Sequence, residues 1–269
     1  MFFLPLADDN PTNNKPLISW IIIALCIFVY GWQISLGDAN QTAILALGVT
    51  PSALLGGAPL PPEIATIPAW LTIFTSMFMH GGILHLGGNM LYLWIFGDNV
   101  EDSVGSKLHY ILLYALCGIA AALAQSFADP NSSIPMIGAS GAISGMLGAY
   151  LILHPRANVK CLLVIIIFVR TINLPAWIVL GGWFALQFFS LGQTGSSVAY
   201  VAHIGGFVAG MVLIPFFRRK TVPLFDKPHS RAFVIEPITA GKQHIPTISR
   251  KRTTQKPSNP HRQGKHPFE

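Results

Sequence analysis

Long apolar runs separated by short polar breaks make up most of the chain before residue 218. Several of these runs approach the roughly 20 residues with which an α-helix crosses a bilayer. Their positions predict six transmembrane helices, at residues 17–36, 83–98, 107–127, 138–153, 174–191 and 198–217. The hydrophobic pattern therefore predicts an all-α membrane protein.

Two other apolar segments do not fit a full span. Residues 37–82 form a long first loop with five prolines, and the apolar stretch at 67–79 predicts that this loop lies partly in the membrane. The eleven residues from Val159 to Val169 are too few to cross a bilayer. We interpret them as a membrane-associated part of the loop between the fourth and fifth helices, with a seventh span as the alternative.

Composition supports a lipid environment. The chain has 269 residues, of which 52% are hydrophobic and only 10% are charged, whereas a soluble domain carries about 25% charged residues. The lipid bilayer is therefore the expected partner of most of the surface. The net charge of +6 comes largely from the C-terminal segment, and since no nucleic-acid-binding motif accompanies it, we expect no nucleic acid partner.

Basic residues lie on one side of the predicted topology. With six helices, loops 37–82, 128–137 and 192–197 share one side of the membrane, and none of them contains Lys or Arg. All seventeen basic residues fall on the other side, which the positive-inside rule assigns to the cytoplasm. Both termini are therefore predicted to be cytoplasmic. A seven-span chain is disfavoured because it would export the basic tail.

The pattern divides the chain into three parts. Residues 1–16 are a cytoplasmic N-terminus, residues 17–220 form the six-helix membrane domain, and residues 221–269 are a basic, proline-rich tail that we expect to be flexible. No basic n-region precedes the first helix and no A-x-A site follows closely, so we predict a retained helix and not a signal peptide. The three cysteines have no spacing that indicates a disulfide framework or a zinc site.

Few polar residues interrupt the predicted spans, and such residues are costly in lipid and often functional. Ser140 follows Gly138 at the start of the fourth helix, and Gly138 permits a tight turn and close approach by a substrate backbone. A helix N-terminus also presents unpaired backbone N–H groups that suit a developing oxyanion. Ser140 is therefore a candidate nucleophile, although a serine here also serves as an ordinary helix cap.

His203 is the candidate general base. It lies near the start of the sixth helix, where Gly206 and Gly210 form a G-x-x-x-G pair that favours close helix contact. The fourth helix has a similar narrow face at Ser140 and Ser144. Packed together, the two faces would bring the His203 Nε2 to the Ser140 hydroxyl, and a histidine within hydrogen-bond reach activates a serine. A purely structural interhelical hydrogen bond is the alternative.

His85 and Asn89 lie one turn apart on one face of the second helix. Both side chains can donate a hydrogen bond to an oxyanion. His80 is five residues before His85, and we expect it to brace the preceding loop. Zinc sites use three or more His, Cys or carboxylate ligands, so this group predicts no metal site.

In three short motifs the chain resembles the rhomboid family of intramembrane serine proteases. They are H-x-x-x-N at His85 and Asn89, G-x-S-G at Gly138, Ser140 and Gly141, and A-H-x-x-G at Ala202, His203 and Gly206. The motifs occur in family order on the expected helices, and the glycines in them are expected to shape the close contacts near the site. The resemblance covers about residues 1–220 and extends to a D-D-N-P-T segment at 8–12 that is similar to bacterial members.

The resemblance implies a six-helix rhomboid fold and cleavage of single-span membrane protein substrates near their extracytoplasmic side, without a cofactor. The short N-terminus shows no organelle-targeting signal, so we expect the protein in a bacterial plasma membrane. The resemblance also implies a dyad in which Ser140 attacks the scissile carbonyl and His203 acts as general base and then as general acid. His85, Asn89 and the Ser140 backbone N–H would stabilise the oxyanion. The residues carry no signal for oligomeric state.

Two positions depart from the family pattern. Leu71 and Thr72 take the place of a Trp-Arg pair that some members carry in the first loop, so the bracing of that loop must differ. Ser144 takes the place of a Tyr that packs on the histidine in some members. Either the imidazole is held less firmly or another side chain fills the gap. Ser144 is also the alternative nucleophile, one turn deeper than Ser140.

Two other functions stay open at this point. A rhomboid-like protein that binds transmembrane helices without cutting them would share the fold, but its usual sign is a missing Ser or His, and both are present. A small transporter or channel would use His85 and His203 as a proton relay. The chain lacks the inverted repeats and the mid-span acidic residues that favour that reading.

Overall fold

The computed structural model describes residues 2–165, 168–191, 198–230, 232–233 and 235–236. Two predictions concern segments beyond this part of the chain. The predicted outer loop 192–197 lies outside the described residues, and so does most of the tail 221–269, for which we predicted flexibility.

Helices form most of the described chain, as the hydrophobic pattern predicts. They are α1 Leu17–Ser35, α2 Asn40–Leu47, α3 Pro51–Leu54, α4 Thr72–Ser76, α5 Ile83–Val104, α6 Lys107–Ala128, α7 Ser140–Leu153, α8 Ala176–Phe189 and α9 Tyr200–Phe217. The six longest helices correspond to the six predicted spans. The shorter helices α2, α3 and α4 lie in the first loop, together with the 3₁₀ turns Gly37–Ala39 and Ala69–Leu71.

Three of the helices in the described residues are long and apolar enough to cross a membrane. These are α1, α6 and α9, with 19, 22 and 18 residues. The apolar helices α7 and α8 have only 14 residues each, which is about 21 Å, less than the hydrocarbon core of about 30 Å. Helix α5 has 22 residues, and its last two turns carry Asp98, Glu101 and Asp102. Length and composition therefore give three candidate spans, where the pattern predicted six.

A small antiparallel sheet corrects the prediction of an all-α fold. Strand β1 (Phe2–Asp8) pairs with β2 (Asn158–Ile165), β2 pairs with β3 (Phe168–Pro175), and β3 pairs with the two-residue β4 (Ile235–Glu236). Residues 159–165 and 168–169 of these strands belong to the apolar run that we interpreted as a membrane-associated loop. Valine and isoleucine in that run favour strands, but its partner strand lies at the far N-terminus, so no local pattern reveals the pairing.

The first loop is braced by backbone and hydroxyl contacts. Val49 and Met136 form a bridge with two backbone hydrogen bonds of 2.9 and 2.8 Å. The Thr75 Oγ1 donates to the Leu47 carbonyl at 2.6 Å. Thr72, at one of the positions that depart from the family pattern, is buried, and its Oγ1 donates to a carbonyl three residues earlier at 2.6 Å. These contacts hold the loop together and join it to the segment just before α7.

Helix α7 lies at the centre of the bundle, and ten of its residues are buried. It packs against α9 through glycines. A Cβ on Gly206 would lie 2.0 Å from the Gly141 carbonyl oxygen, and a Cβ on Gly210 would lie 1.8 Å from the Gly145 carbonyl oxygen. The two backbones are therefore in direct contact, which sets the spacing of the side chains at the starts of both helices.

Two carboxylates near the end of α5 anchor the neighbouring chain segments. Glu101 accepts hydrogen bonds from two backbone N–H groups in the first turn of α1, at 2.9 and 2.8 Å, and thereby caps that helix. Asp102 accepts from the Asn13 backbone N–H at 3.1 Å and lies 3.5 Å from the Arg219 guanidinium. The segments just before α1 and just after α9 therefore meet at one end of the bundle.

The described start of the tail, residues 221–230, contacts the same end. The backbone N–H groups of Phe225 and Asp226 donate to the carbonyls of the last two residues of α7, at 2.9 and 2.8 Å. The Asn158 Nδ2 donates to the Ser230 carbonyl at 3.0 Å. This part of the tail is thus held by backbone hydrogen bonds to the helix bundle and the sheet.

Candidate active site

Ser140 is the first residue of α7, where the chain turns out of the preceding loop. Gly138 has a φ of +123°, which residues with a side chain rarely adopt. Its N–H donates to the Ser76 carbonyl at 2.9 Å. A Cβ at Gly138 would also lie 2.8 Å from the His85 ring. Backbone conformation and space both require glycine here, and this turn leaves Ser140 partly exposed at the start of the helix.

His203 lies in the first turn of α9 and faces Ser140. Its Nε2 is 2.9 Å from the Ser140 Oγ, and both residues are partly exposed. Gln125 of α6 holds the start of α9, because its Oε1 accepts a hydrogen bond from the Ala202 N–H at 3.3 Å. The structure thus brings together the two side chains that the sequence proposed as a pair.

Two residues of α8 that belong to none of the sequence motifs contact the rest of the His203 ring. The His203 Nδ1 is 2.9 Å from the Gln187 Oε1. The Trp183 ring lies beside the imidazole, with centroids 5.8 Å apart and planes inclined by 34°. Trp183 therefore gives the imidazole an aromatic contact that Ser144 cannot provide. The signal for Gln187 was present in the sequence, since it is the single amide side chain in an apolar helix.

His85 lies in the first turn of α5, with its ring against Gly138. The Gly81 N–H donates to the His85 Nδ1 at 3.4 Å, which assigns the proton of the neutral ring to Nε2, beside Gly138. His80 packs edge-on against this ring, with centroids 5.2 Å apart. The backbone of His80 exchanges two hydrogen bonds with the Gln33 side chain of α1, at 2.9 and 3.2 Å. His80 therefore braces the loop that supports His85.

Asn89 lies one turn after His85 and is 8% exposed. Its Nδ2 is buried and has no hydrogen-bond partner within the described part of the chain. A buried amide donor without an acceptor is costly, so this Nδ2 is available to an acceptor from outside the described residues. Ser144, by contrast, is 1% exposed and donates its hydroxyl to the Ser140 carbonyl at 2.6 Å. That bond counts against Ser144 as the nucleophile.

The site lies at the end of the bundle opposite the segment that precedes α1 and the described start of the tail. Ser140, His85 and His203 are in the first turns of α7, α5 and α9. At the opposite end, Asp102 in the last turn of α5 contacts Arg219, just after α9, and the last turn of α7 contacts the start of the tail. In the described residues, no group of three or more His, Cys, Asp or Glu is arranged to hold a metal ion. A hydroxyl, an imidazole and N–H donors at a helix start are the set that acyl transfer requires.

The apolar helices and their buried polar contacts define a multi-pass membrane protein. Residues 68–220 match the Rhomboid domain, which is more than half of the chain. The chain therefore belongs to the rhomboid family, as the three motifs indicated.

Several relatives carry rhomboid names. The chain is 31% identical over 201 residues to the rhomboid protease GluP of Bacillus subtilis, and 31% identical over 146 residues to the mitochondrial rhomboid protein 1 of Saccharomyces cerevisiae. It is 26% identical over 200 residues to the rhomboid protease GlpG of Salmonella choleraesuis. These matches cover 74%, 53% and 73% of this chain, but only 34%, 40% and 61% of the relatives. The chain thus spans about a third to three fifths of these proteins.

Proposed function

We propose that this chain is an intramembrane serine endopeptidase that cuts membrane-spanning substrates near their extracytoplasmic side. The observation that carries the proposal is the 2.9 Å contact between the Ser140 Oγ and the His203 Nε2 at the start of α7. Membership of a family with relatives named as proteases supports it. The position of Ser140 at a helix N-terminus supports it further, because acyl transfer needs N–H donors beside the nucleophile.

The reaction proceeds by acyl transfer. His203 Nε2 takes the proton of the Ser140 hydroxyl as the Oγ attacks the scissile carbonyl carbon. The tetrahedral intermediate collapses when His203 returns this proton to the leaving amine, and the other half of the substrate stays bound to Ser140 as an ester. Water then attacks the ester with His203 again as base, which releases a carboxylic acid and restores the serine.

The oxyanion forms beside the start of α7. The Ser140 backbone N–H is one donor, since the first N–H groups of a helix have no intrahelical partner. The His85 Nε2–H is a second, because the ring lies against Gly138, two residues before the nucleophile. The unpartnered Asn89 Nδ2 is the third. Donors that are in place before reaction stabilise the intermediate without reorganisation.

We assign six spans, α1 and α5 to α9, with residues 17–220 as the protease domain. Asp102 contacts the segments before α1 and after α9, so both segments lie at the same end of the bundle. An even number of crossings agrees with this arrangement. Helix α7 need not cross the whole hydrocarbon layer, because it is enclosed by other helices and not by lipid. We place residues 1–16 and 221–269 in the cytoplasm, because all Lys and Arg fall on that side of the predicted topology.

The test is cleavage of a single-span membrane substrate by the purified protein in liposomes. We expect Ser140→Ala and His203→Ala each to lower kcat/KM at least about a thousandfold, as removal of one member of a serine–histidine pair does. Ser144→Ala is the matched control, one turn along the same helix, and we expect it to keep activity within about threefold.

Labelling with a fluorophosphonate probe separates the remaining outcomes. If wild type is labelled at Ser140 but cuts no substrate in a panel, the substrates are wrong and the dyad stands. If it is neither labelled nor active, yet retains single-span helices on affinity purification, the chain is a helix-binding protein and the protease proposal fails. Full activity of Ser140→Ala would assign the nucleophile elsewhere.

A further inference from the structure

Gln187 contacts His203 on the side of the ring that faces away from Ser140. The two atoms in contact are the His203 Nδ1 and the Gln187 Oε1, 2.9 Å apart. Gln187 lies in α8, is 7% exposed, and is the single amide in that helix. An amide side chain among apolar residues is costly to keep in a membrane protein unless its polar atoms are satisfied. Both of its polar atoms are satisfied here, and His203 is one of the two partners.

The second partner fixes which atom of the amide faces the histidine. The Gln187 Nε2 donates to the Trp183 carbonyl, one turn earlier in α8, at 3.0 Å. A flipped amide would set its oxygen against that carbonyl oxygen, and two acceptors repel. Oxygen is therefore the atom that faces His203. Because an amide oxygen only accepts, the His203 Nδ1 must carry the proton, and in a neutral ring the lone pair is then on Nε2.

We propose that Gln187 is a positioning residue that holds His203 in the Nδ1–H tautomer, so that the Nε2 lone pair faces the Ser140 hydroxyl. This inference deepens the proposed protease function and rests on it. Trp183 adds to the effect, since its ring limits rotation of the imidazole from the same helix. Helix α8 thus supplies both the acceptor and the packing surface for a base that α9 carries.

Gln187 does part of what an acidic third residue does in serine proteases that have one. Such a carboxylate fixes the tautomer and also stabilises the imidazolium through its charge. A neutral amide performs only the first of these tasks. Loss of Gln187 should therefore impair the chemical step without removing substrate contacts, which predicts a fall in kcat and not a rise in KM.

The kinetic test compares three variants of the full chain in liposomes. Gln187→Met keeps the length of the side chain but offers no good acceptor, and we expect kcat to fall about ten- to a hundredfold with KM within about twofold of wild type. Gln187→Glu keeps an oxygen acceptor for the His203 Nδ1, and its protonated form also keeps a donor for the Trp183 carbonyl, so we expect it to retain kcat within about fivefold. Leu186→Ala, at an adjacent residue that is 60% exposed, is the matched control and should leave both constants unchanged.

A second readout does not depend on proteolysis. Nitrogen chemical shifts of ¹⁵N-labelled histidine distinguish protonated from unprotonated ring nitrogens, and His203→Ala identifies the signals of His203. We expect wild type and Gln187→Glu to show a proton on Nδ1, and Gln187→Met to show a mixture of tautomers or the Nε2–H form.

An unchanged tautomer in Gln187→Met would overturn the proposal, and so would equal losses of kcat in Gln187→Met and Leu186→Ala. If wild type cuts nothing and resists the fluorophosphonate, the protease function fails, while the nitrogen shifts still decide whether Gln187 sets the tautomer.

Discussion

At the scale of single residues, the two histidines of the site are held in opposite protonation forms by their neighbours. The His203 Nδ1 faces the Gln187 oxygen, which only accepts, so its lone pair is on Nε2. The His85 Nδ1 accepts from the Gly81 N–H, so its proton is on Nε2. One ring is thereby prepared to take a proton and the other to donate a hydrogen bond, and a contact at the remote nitrogen sets each role.

The oxyanion assignment predicts a specific kinetic signature. We expect His85→Ala and Asn89→Ala each to lower kcat by about tenfold to a thousandfold with little change in KM, because their donors act on charge that exists only in the transition state. Steady-state kinetics in liposomes provide the measurement. Leu84→Ala, at an adjacent residue that is 89% exposed, is the control. A rise in KM at constant kcat would assign both residues to substrate binding instead.

Asp8, in the strand β1, predicts a pH dependence of stability. Burial, together with the nearby carboxylates of Asp98 and Asp9, raises the pKa of Asp8 to about 7, although the Tyr150 hydroxyl donates to it and opposes the shift. In the unfolded chain this carboxyl has a pKa of about 3.9. Between those values the folded state binds more protons than the unfolded state, so the stability that Asp8 contributes falls as pH rises from about 4 to about 7.

Asp8→Asn removes this titration and keeps an oxygen acceptor for Tyr150. We expect the thermal midpoint of the variant to exceed that of wild type at pH about 8, and its slope between pH about 4 and 7 to be flatter. Thermal unfolding in detergent across that range gives both quantities. Asp38→Asn, at an exposed position, serves as the control. Parallel curves for wild type and Asp8→Asn would contradict the assignment.

At the scale of helices, the direct contact of α7 with α9 sets the geometry of the dyad. Small residues let two membrane helices approach closely, and a Cβ on Gly210 would overlap the Gly145 carbonyl oxygen at 1.8 Å. Ser140 and His203 each lie within two turns of these contacts. Any increase in the separation of the helices therefore moves the imidazole away from the hydroxyl.

Gly210→Ala should force the two helices apart. We expect a loss of about 1–3 kcal/mol in the free energy of unfolding, the usual effect of overpacking, together with a loss of proteolytic activity. Gly182→Ala in α8 is the matched control, since a Cβ there meets nothing within 4 Å, and it should be neutral or stabilise by about 0.5–1 kcal/mol. Unfolding in mixed micelles measures both variants. Equal effects of the two substitutions would refute the close-contact explanation.

At the scale of the whole molecule, the segment before α1 and the described start of the tail both meet the end of the bundle that is opposite the site. Strand β1 joins the sheet there, the tail begins there, and Arg219 reaches the Asp102 carboxylate from the segment after α9. In a six-span protein with cytoplasmic termini, this arrangement puts Ser140 on the extracytoplasmic side, where water and the exposed part of a substrate are available.

Labelling of single cysteines tests this orientation. The native Cys26, Cys117 and Cys161 are buried, with 0% exposure, so their background should be low. We expect a membrane-impermeant maleimide to label Asn131→Cys in intact spheroplasts and Lys220→Cys only after permeabilisation, because both positions are exposed on opposite ends of the bundle. Labelling after permeabilisation of both variants is the control. The reverse pattern would place the site in the cytoplasm.

The sequence by itself determined the elements whose signal is local. Apolar runs indicated the helices, and Gly138 with Ser140 indicated the start of α7. His85 and His203 were candidates because they are histidines in apolar helices, and lipid tolerates polar residues only where something uses them. The order of these residues along the chain also indicated the family, which the match over residues 68–220 confirms.

Only the tertiary structure decided what depends on contacts between distant segments. Residues 159–165 lie in a strand, β2, because β1, at the N-terminal end of the chain, supplies hydrogen bonds to its edge. Trp183 takes over the packing that Ser144 cannot provide, and Gln187 faces His203, because α8 lies against α9 in this bundle. Helical periodicity gives the face on which a residue lies but not which helix covers that face. The residues that contact His203 are therefore set by the packing of the helices and not by the local sequence.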